Sequence, residues 1–512
     1  MFLSVLHIPH ILRIKIKRKG KVYMFLKISP EKAGIPSSKV LEFIKVLEQY
    51  KLNTHSILMA RGNNIFAETY YAPFDADFKH RMYSVSKSFV AIAVGLAEQD
   101  GLLSLEDKFI KHFPEYRNEQ TDNLYEETTI RDLLTMRSCI AEKSPDWWAK
   151  EDRAKTYFDM SSNKIPGTNF SYDSTGSMIL GCIVEKLTGK PFMEYLKEKL
   201  LLDIGFSKDA YCLMAPGGYS HSDSGVMCTS RELLAFARFV MNKGVWNGKR
   251  YINEEFMRAA ISRQTDTDVA GHVTAEKNHG YGYLIWKAPR DGFAFIGMAD
   301  QLAICDPETD FIFVITSENM GSEAASRMLI FHELYKTIVE NLGEELAENE
   351  QEYAELKAYM STRKMLSLTD GVESGVMSKI NGVTYRLEAN TMGIDTIKIT
   401  IADDKGVMEY TNKEGLNTIQ FGMGHNEFGR FPGQRRMSIT ASKYEEGNYV
   451  CGASAVWCEE AKLHILVRII DTYLGTLSIT LGYKDDRISV TMTRWAQRIL
   501  DEFGGFAVGR YL

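Results

Sequence analysis

The sequence predicts an α+β domain followed by a separate β-rich domain, and three observations carry that reading. From Ile28 to about Gly321 helical and strand patterns alternate. Within that stretch a short apolar hairpin near the start and a meander of apolar runs near the end read as one antiparallel sheet with helices on its faces. Beyond Lys364 the apolar residues fall at every second position, the pattern of strands with one buried face.

Residues 1–27 read as an irregular N-terminal extension. Their apolar stretch precedes its cations, is broken by Pro9 and lacks a small-residue cleavage site, so no signal peptide is expected. The stretch is also too short to span a bilayer. Met24 is an alternative start, and a peripheral membrane contact through Arg13 to Lys21 is the lesser alternative. Next, Val40, Phe43, Ile44 and Leu47 repeat at helical spacing after Ser37 and Ser38. Ser56 to Ala60 and Ile65 to Tyr70 flank Arg61-Gly-Asn-Asn64 as a hairpin. Gly282 to Trp286, Phe293 to Ile296, Leu302 to Cys305 and Phe311 to Thr316 are strand-like, and a helix is expected from Ala324 to Leu342.

Residues 343–364 form an acidic connector, read as a solvated helix or linker. The β-rich domain, 365–512, follows in Val383/Tyr385/Leu387, Ile397/Ile399/Ile401, Leu477/Ile479/Leu481 and Ile488/Val490/Met492. Trp495, Ile499 and Phe503, spaced i, i+4, i+8, predict a closing amphipathic helix.

Composition narrows the function. The 512 residues are 45% hydrophobic and 25% charged, which excludes collagen-like, disordered and coiled-coil chains. A formal net charge of −6 without a basic block argues against a nucleic-acid partner. Seven cysteines, odd in number and without a C-x-x-C pair, suit reduced thiols in a cytoplasmic setting better than disulfides or a zinc site. No metal and no cofactor is expected.

The sequence contains no G-x-S-x-G elbow, no phosphate-binding G-x-x-x-x-G-K-[ST] loop and no H-E-x-x-H. What remains is Ser-x-x-Lys, whose spacing puts a hydroxyl and an amine on one helical face. About two are expected by chance in a chain this long; this one has four, Ser29/Lys32, Ser84/Lys87, Ser161/Lys164 and Ser361/Lys364. Only Ser84 opens a long apolar helix, running to Ala97. There its N–H is unpaired and the helix dipole favours negative charge, so one residue supplies a nucleophile and half an oxyanion hole. Lys87, one turn on, would face a buried site where desolvation makes an amine usable as a base. The alternative is that Ser84 is a helix cap and Lys87 a surface lysine.

Tyr83-Ser-Val-Ser-Lys-Ser-Phe89 resembles the active-site block of class C serine β-lactamases, penicillin-binding proteins and related esterases and amide hydrolases. Collinear segments extend the likeness over about residues 28–340: Ser29 to Gly34, Gly101 to Asp107, Thr129 to Thr135, Pro166 to Ser174, Leu180 to Gly189 and Ser224 to Phe236. The resemblance implies a β-lactamase/transpeptidase-like domain over 28–342. It places the family's Tyr-x-Ser element at Tyr172-Asp-Ser174, with the Tyr172 phenol hydrogen-bonded to Ser84 and Lys87 and Ser174 touching substrate. Tyr410-Thr-Asn412 fits the bare pattern but lies in the β-rich region. No Lys-Thr-Gly occurs; the collinear Gly297-Met-Ala-Asp-Gln301 is closer to the Gly-x-x-Gly-Gln of the nylon-oligomer hydrolase and esterase branch. It implies that Gly297 lines the site and that the Met298 N–H completes the oxyanion hole. A cation for a substrate carboxylate is missing, and Asp300 stands where that branch has Gly. Trp147 and Trp148 are candidates for walling an acyl pocket, with core or lid packing as the alternative. Ser222-Asp223-Ser224 reads as a loop, and His221 and His279 as structural. The C-terminal domain resembles the lipocalin-like modules of some members.

These features predict a metal-free serine hydrolase that forms an acyl-enzyme on Ser84 and cleaves an ester or amide, cyclic amides included, of a small molecule or short peptide. Whether Lys87 or Tyr172 is the base stays open, as does the oligomeric state. The alternatives are a non-catalytic ligand-binding or sensing protein on the same fold and a D-amino-acid peptidase acting on peptidoglycan fragments.

Overall fold

The two hairpin halves and the late meander meet in one seven-stranded sheet. A computed structural model describes residues 25–118, 123–140, 151–267, 278–432, 435–437, 444–446, 448–497 and 499–512. Strand Thr54–Arg61 pairs antiparallel with both Asn64–Tyr70 and Phe311–Ser317, with Ile57 opposite Ile315 and Met59 opposite Phe313. Gln301–Asp306, Phe293–Gly297 and Trp286–Lys287 continue the sheet antiparallel, and Leu26–Lys27 adds a parallel edge beside Asn64–Tyr70. Helices cover both faces. The Phe43 ring of helix Ser37–Gln49 meets Phe313 edge-on at 5.5 Å. On the other face Phe236 of helix Ser230–Met241 packs on Phe295 at 5.4 Å. Strands covered on both faces read as continuous apolar runs, and every residue of Phe311–Ser317 is buried.

The central helix, Ser86–Gln99, is buried at every residue from Ser86 to Ala97. Gly95 lets it approach Phe256, whose ring would lie 2.4 Å from a Cβ there. The helix packs on Ser174–Thr188, and Phe89 stacks on Phe236 at 3.8 Å.

Among the described residues, nine strands form the barrel of the C-terminal domain: Thr384–Leu387, Ile394–Ala402, Lys405–Asn412, Gly415–Met423, Tyr449–Glu459, Lys462–Ile470, Leu474–Lys484, Arg487–Ala496 and Gly505–Tyr511. They close into a barrel. The first pairs with the last, and Gly415–Met423 runs parallel to Tyr449–Glu459 through Gly422/Ser454 and Met423/Ala455. Glu427–Phe431 adds a strand against Tyr449–Glu459. The alternating residues Ile397, Ile399, Ile401, Leu477, Ile479, Leu481, Ile488, Val490 and Met492 all point into the barrel core, and so does Tyr410.

Two expected elements differ. Among the described residues no helix follows Trp495: it lies in strand Arg487–Ala496, the chain turns at Leu500 with φ 63°, and Gly505–Tyr511 follows as the strand that closes the barrel. Ile499 and Phe503 plug the barrel end instead, Phe503 meeting Phe431 at 5.4 Å. Nor is Gly282–Trp286 a strand, since only Trp286–Lys287 pairs. Gly282 runs against the Ala260 carbonyl, 2.1 Å from where a Cβ would sit, and Leu284 turns the chain with φ 53°. Within the expected acidic connector, helix Glu350–Ser361 packs on helix Ser37–Gln49, and Arg363 pairs with Glu48 at 2.9 Å.

Candidate active site

Short strand His80–Arg81 leads into a 3-10 turn, Tyr83–Val85, and then into the central helix. Strand Val226–Cys228 brackets this passage: the Met82 N–H donates to the Val226 carbonyl at 2.9 Å, and the Val226 N–H donates to Ser86 Oγ at 3.0 Å. From His80 to Ala97 the single residue that is not buried is Ser84. As a residue of the first turn it has no carbonyl one turn back to receive its N–H.

Lys87 is 1% exposed, so it is no surface lysine. Its Nζ donates to Ser84 Oγ at 2.9 Å and to the Asp223 carbonyl at 2.9 Å. Ser84 caps no helix with its side chain, because its hydroxyl faces the amine. The other three Ser-x-x-Lys pairs serve different ends. Lys32 Nζ pairs with Glu348 at 2.9 Å, the Ser361 hydroxyl donates to the Ala358 carbonyl at 2.9 Å, and Lys164 belongs to the loop before Pro166.

The Asp223 contact was not legible in the sequence. Ser222-Asp223-Ser224 is a turn, as read, but its backbone carbonyl fixes the amine, and no side-chain pattern announces a carbonyl. His221 Nε2 lies 3.4 Å from the Asp223 carboxylate, beneath that turn.

Tyr172 precedes Asp173, which caps helix Ser174–Thr188 by accepting from the Gly176 N–H at 2.9 Å. Its ring stacks on Trp286 at 5.6 Å and meets Tyr281 edge-on at 6.5 Å. Held so, it offers its face to Lys87, whose Nζ is 5.2 Å from the ring centroid. The phenol hydrogen bonds expected from Tyr172 to Ser84 and Lys87 are not formed among the described residues; the ring's two aromatic neighbours fix another presentation. Ser174 is the buried first residue of its helix. Trp147 and Trp148 lie outside the described residues.

Strand Phe293–Gly297 brings the third element to the same place. A Cβ on Gly297 would stand 2.4 Å from the Met82 carbonyl and 3.3 Å from Val85 Cγ2, so any side chain would push the strand off the serine turn. The turn that follows, Met298 to Asp300, has left-handed residues at Ala299 (φ 61°) and Asp300 (φ 64°). Gln301 Nε2 donates to the Met298 carbonyl at 3.0 Å, and Ser317 Oγ to the carbonyls of Ala299 and Asp300 at 2.8 and 2.9 Å. Asp300 is fully buried, accepts from Asn319 Nδ2 at 3.1 Å and from the Ser326 hydroxyl, and faces Arg327 Nε at 3.2 Å. Burial pushes its carboxyl up to about 6, against the pull of Arg327. The residue that departs from the Gly-x-x-Gly-Gln pattern thus ties the turn into the fold.

An antiparallel sheet between helices, with a Ser-x-x-Lys pair at the head of a buried central helix, defines the β-lactamase/transpeptidase-like class. The Beta-lactamase family model matches residues 42–334, and the chain belongs to that family, which makes it a hydrolase by class. It is 26% identical over 285 residues to the 6-aminohexanoate-dimer hydrolase of Paenarthrobacter ureafaciens, covering 51% of this chain and 71% of that protein. It is 27% identical over 180 residues to penicillin-binding protein 4* of Bacillus subtilis (strain 168), covering 31% of this chain and 38% of that protein. A solved Bacillus anthracis structure, provisionally described as a 6-aminohexanoate-dimer hydrolase, superposes with a TM-score of 0.51 at 17% identity over 63% of this chain and 89% of that one, a likeness of fold. Among the described residues no helix is long and apolar enough to cross a membrane.

Proposed function

We propose that the protein is a serine hydrolase that cleaves an ester or amide of a small molecule or short peptide through an acyl-enzyme on Ser84. The observation that carries this reading is the Lys87–Ser84 contact of 2.9 Å between a buried amine and the one accessible residue of the segment. Ser84 Oγ bonds to the substrate carbonyl carbon while its proton passes to the neutral form of Lys87. The oxygen, now anionic, receives the Ser84 and Met298 N–H groups. The leaving alcohol or amine departs with the proton, and water adds to the acyl-enzyme and frees the acid. Tyr172 keeps its ring face 5.2 Å from the Lys87 Nζ and so walls the amine on that side. The relative named for a 6-aminohexanoate dimer and the lack of Lys-Thr-Gly both favour a linear amide or ester over a β-lactam.

Labelling with a fluorophosphonate and hydrolysis of p-nitrophenyl esters, with nitrocefin in parallel, test the reading. Both labelling and turnover are expected from wild type and absent from Ser84→Ala. A folded wild type that neither labels nor turns over points to the ligand-binding alternative.

A further inference from the structure

The barrel reaches the candidate site at two places, and each contact ends on an element that holds one of the two proposed oxyanion amides. The first runs through Tyr83. This residue stands next to Ser84 with φ 45°, a conformation that a tyrosine keeps only when its surroundings hold it. They do. Its phenol oxygen accepts the Leu474 N–H of the barrel at 3.1 Å. The Arg81 guanidinium lies between its ring and that of barrel Tyr473, 4.6 and 5.0 Å from the two centroids. Arg81 in turn donates to the Ser224 carbonyl at 3.0 Å, in the turn that also holds Lys87.

The second contact runs through Glu318. Barrel residue Arg468 donates through Nη1 to Glu318 Oε2 at 3.2 Å, and the Thr476 hydroxyl donates to the same oxygen. The next residue, Asn319, donates to Asp300, and Asp300 closes the Met298–Asp300 turn. Glu318, Arg468 and Thr476 are 3%, 8% and 6% exposed. A buried charge pair is a poor adhesive, because apolar side chains of similar volume join two surfaces at least as well. Its directionality is what apolar packing lacks.

We infer that the barrel is a working part of the hydrolase site: Leu474 and Tyr473 through Tyr83 and Arg81, and Arg468 and Thr476 through Glu318, Asn319 and Asp300, are positioning residues that set the two amides of the oxyanion hole. This rests on the serine-hydrolase reading above. Small displacements of such donors slow the chemical step without altering ground-state binding.

The test uses the full chain with Thr476→Val, Arg468→Met and Tyr83→Phe, and Thr480→Val as the control on the same barrel strand. Rates are taken on a p-nitrophenyl ester and normalised to sites titrated with a fluorophosphonate. Expected is a 10- to 100-fold fall in kcat for the first three with KM within about twofold, and an equal fall in affinity for an alkyl boronic acid that mimics the tetrahedral intermediate. Thr476→Ser should restore both, and Thr480→Val should change neither. If kcat per titrated site is unchanged while only the thermal midpoint drops, the barrel merely stabilises the fold and the inference is overturned. Should Arg468→Met not fold, Thr476→Val and its Ser rescue decide. A wild type that neither labels nor turns over brings down the hydrolase reading and this inference with it, an outcome distinct from an active wild type with unaffected variants.

Discussion

In the N-terminal domain the strands Gln301–Asp306 and Phe311–Ser317 are buried at every residue, whereas most barrel strands are buried at every second one. The difference follows from what lies on each face: helices cover both sides of the sheet, while the outer face of a barrel meets water. It also changes what a buried polar residue means. In the N-terminal domain Lys87 interrupts a helix buried all round, and the interruption marks the candidate chemistry. In the barrel the alternation holds through Leu463, Ile465, Val467 and Ile469, then fails at Arg468 and Ile470, and again at Leu474 and Thr476. Those outward residues are buried because the N-terminal domain covers them, with Ile470 packed against Phe74, Leu474 bonded to Tyr83, and Arg468 and Thr476 bonded to Glu318. The buried lysine of the doubly covered helix marks the candidate chemistry, whereas the buried polar residues on the outer face of the barrel mark docking.

The largest expected effect tests the first half of that contrast. Lys87→Met should lower kcat by about 10³–10⁴-fold, roughly 4–5 kcal/mol in the barrier. Thermal stability should hold or rise, since an apolar side chain of similar volume replaces a buried amine. A Lys87→Met enzyme with near-normal ester hydrolysis per folded molecule would remove the lysine from the chemistry. Next comes the second half. Arg468→Met leaves the Glu318 carboxylate buried and unpaired, at a cost of about 3–5 kcal/mol, and Arg468→Met with Glu318→Gln should recover most of it in urea unfolding. Equal losses for the single and double variants would show that packing, not charge, joins the domains.

A pH effect of intermediate size belongs to the same junction. His55 Nδ1 and His80 Nε2 are 2.8 Å apart, and His55 stacks on Phe74 at 3.9 Å. Burial holds His80 down to about 4, and burial together with His80 and Arg468 holds His55 well below its usual value. Since the unfolded chain binds protons near 6.5 that the folded chain refuses, stability is complete above about 6.5 and falls as the pH drops towards 4. The contribution of His80 is about 3 kcal/mol. Asp300 acts in the opposite sense: its raised pKa of about 6 means that the folded state takes up a proton that the unfolded state still lacks, which favours folding as the pH falls from 6 to 4. Urea midpoints measured from pH 7 to pH 4.5 should therefore fall, more steeply in Asp300→Asn and less steeply in His80→Gln. A flat wild-type profile would mean that the histidine pair is not desolvated.

Much of the architecture is legible in the sequence because the periods differ. Ile397/Ile399/Ile401 and Leu477/Ile479/Leu481 can only be strands with one covered face, and the apolar run after Ser84 only a buried helix. Spacing alone misleads where it has two meanings: Trp495, Ile499 and Phe503 fit a helical stripe, yet a strand end followed by a turn places the last two in the barrel core equally well. The Ser84/Lys87 pair stands out from three decoys by its helix, whereas the Asp223 carbonyl that holds Lys87 has no side-chain signature at all. Gln301, Ser317, Glu318 and Asn319 carry a signal that period counting overlooks: polar residues flanking the apolar runs 302–305 and 311–315. The docking face has no such signature, because Ile465-Leu466-Val467 already breaks the apolar alternation of its strand before Ile469 and Ile470 do.

The smallest expected effect is the sharpest form of the comparison, because it keeps residue type, strand and face constant. Thr476 and Thr480 lie on strand Leu474–Lys484 two alternations apart and point to the same outer side. Thr476 is 6% exposed and its hydroxyl bonds to Glu318; Thr480 is half-buried. Thr476→Ala removes a donor from a buried carboxylate and should cost about 1–3 kcal/mol. Thr480→Ala removes a methyl and a hydroxyl from a partly wet surface and should stay within about 0.5 kcal/mol of wild type. If urea unfolding gave equal costs, intrinsic β-propensity would account for both, and the broken alternation at Thr476 would carry no information about docking.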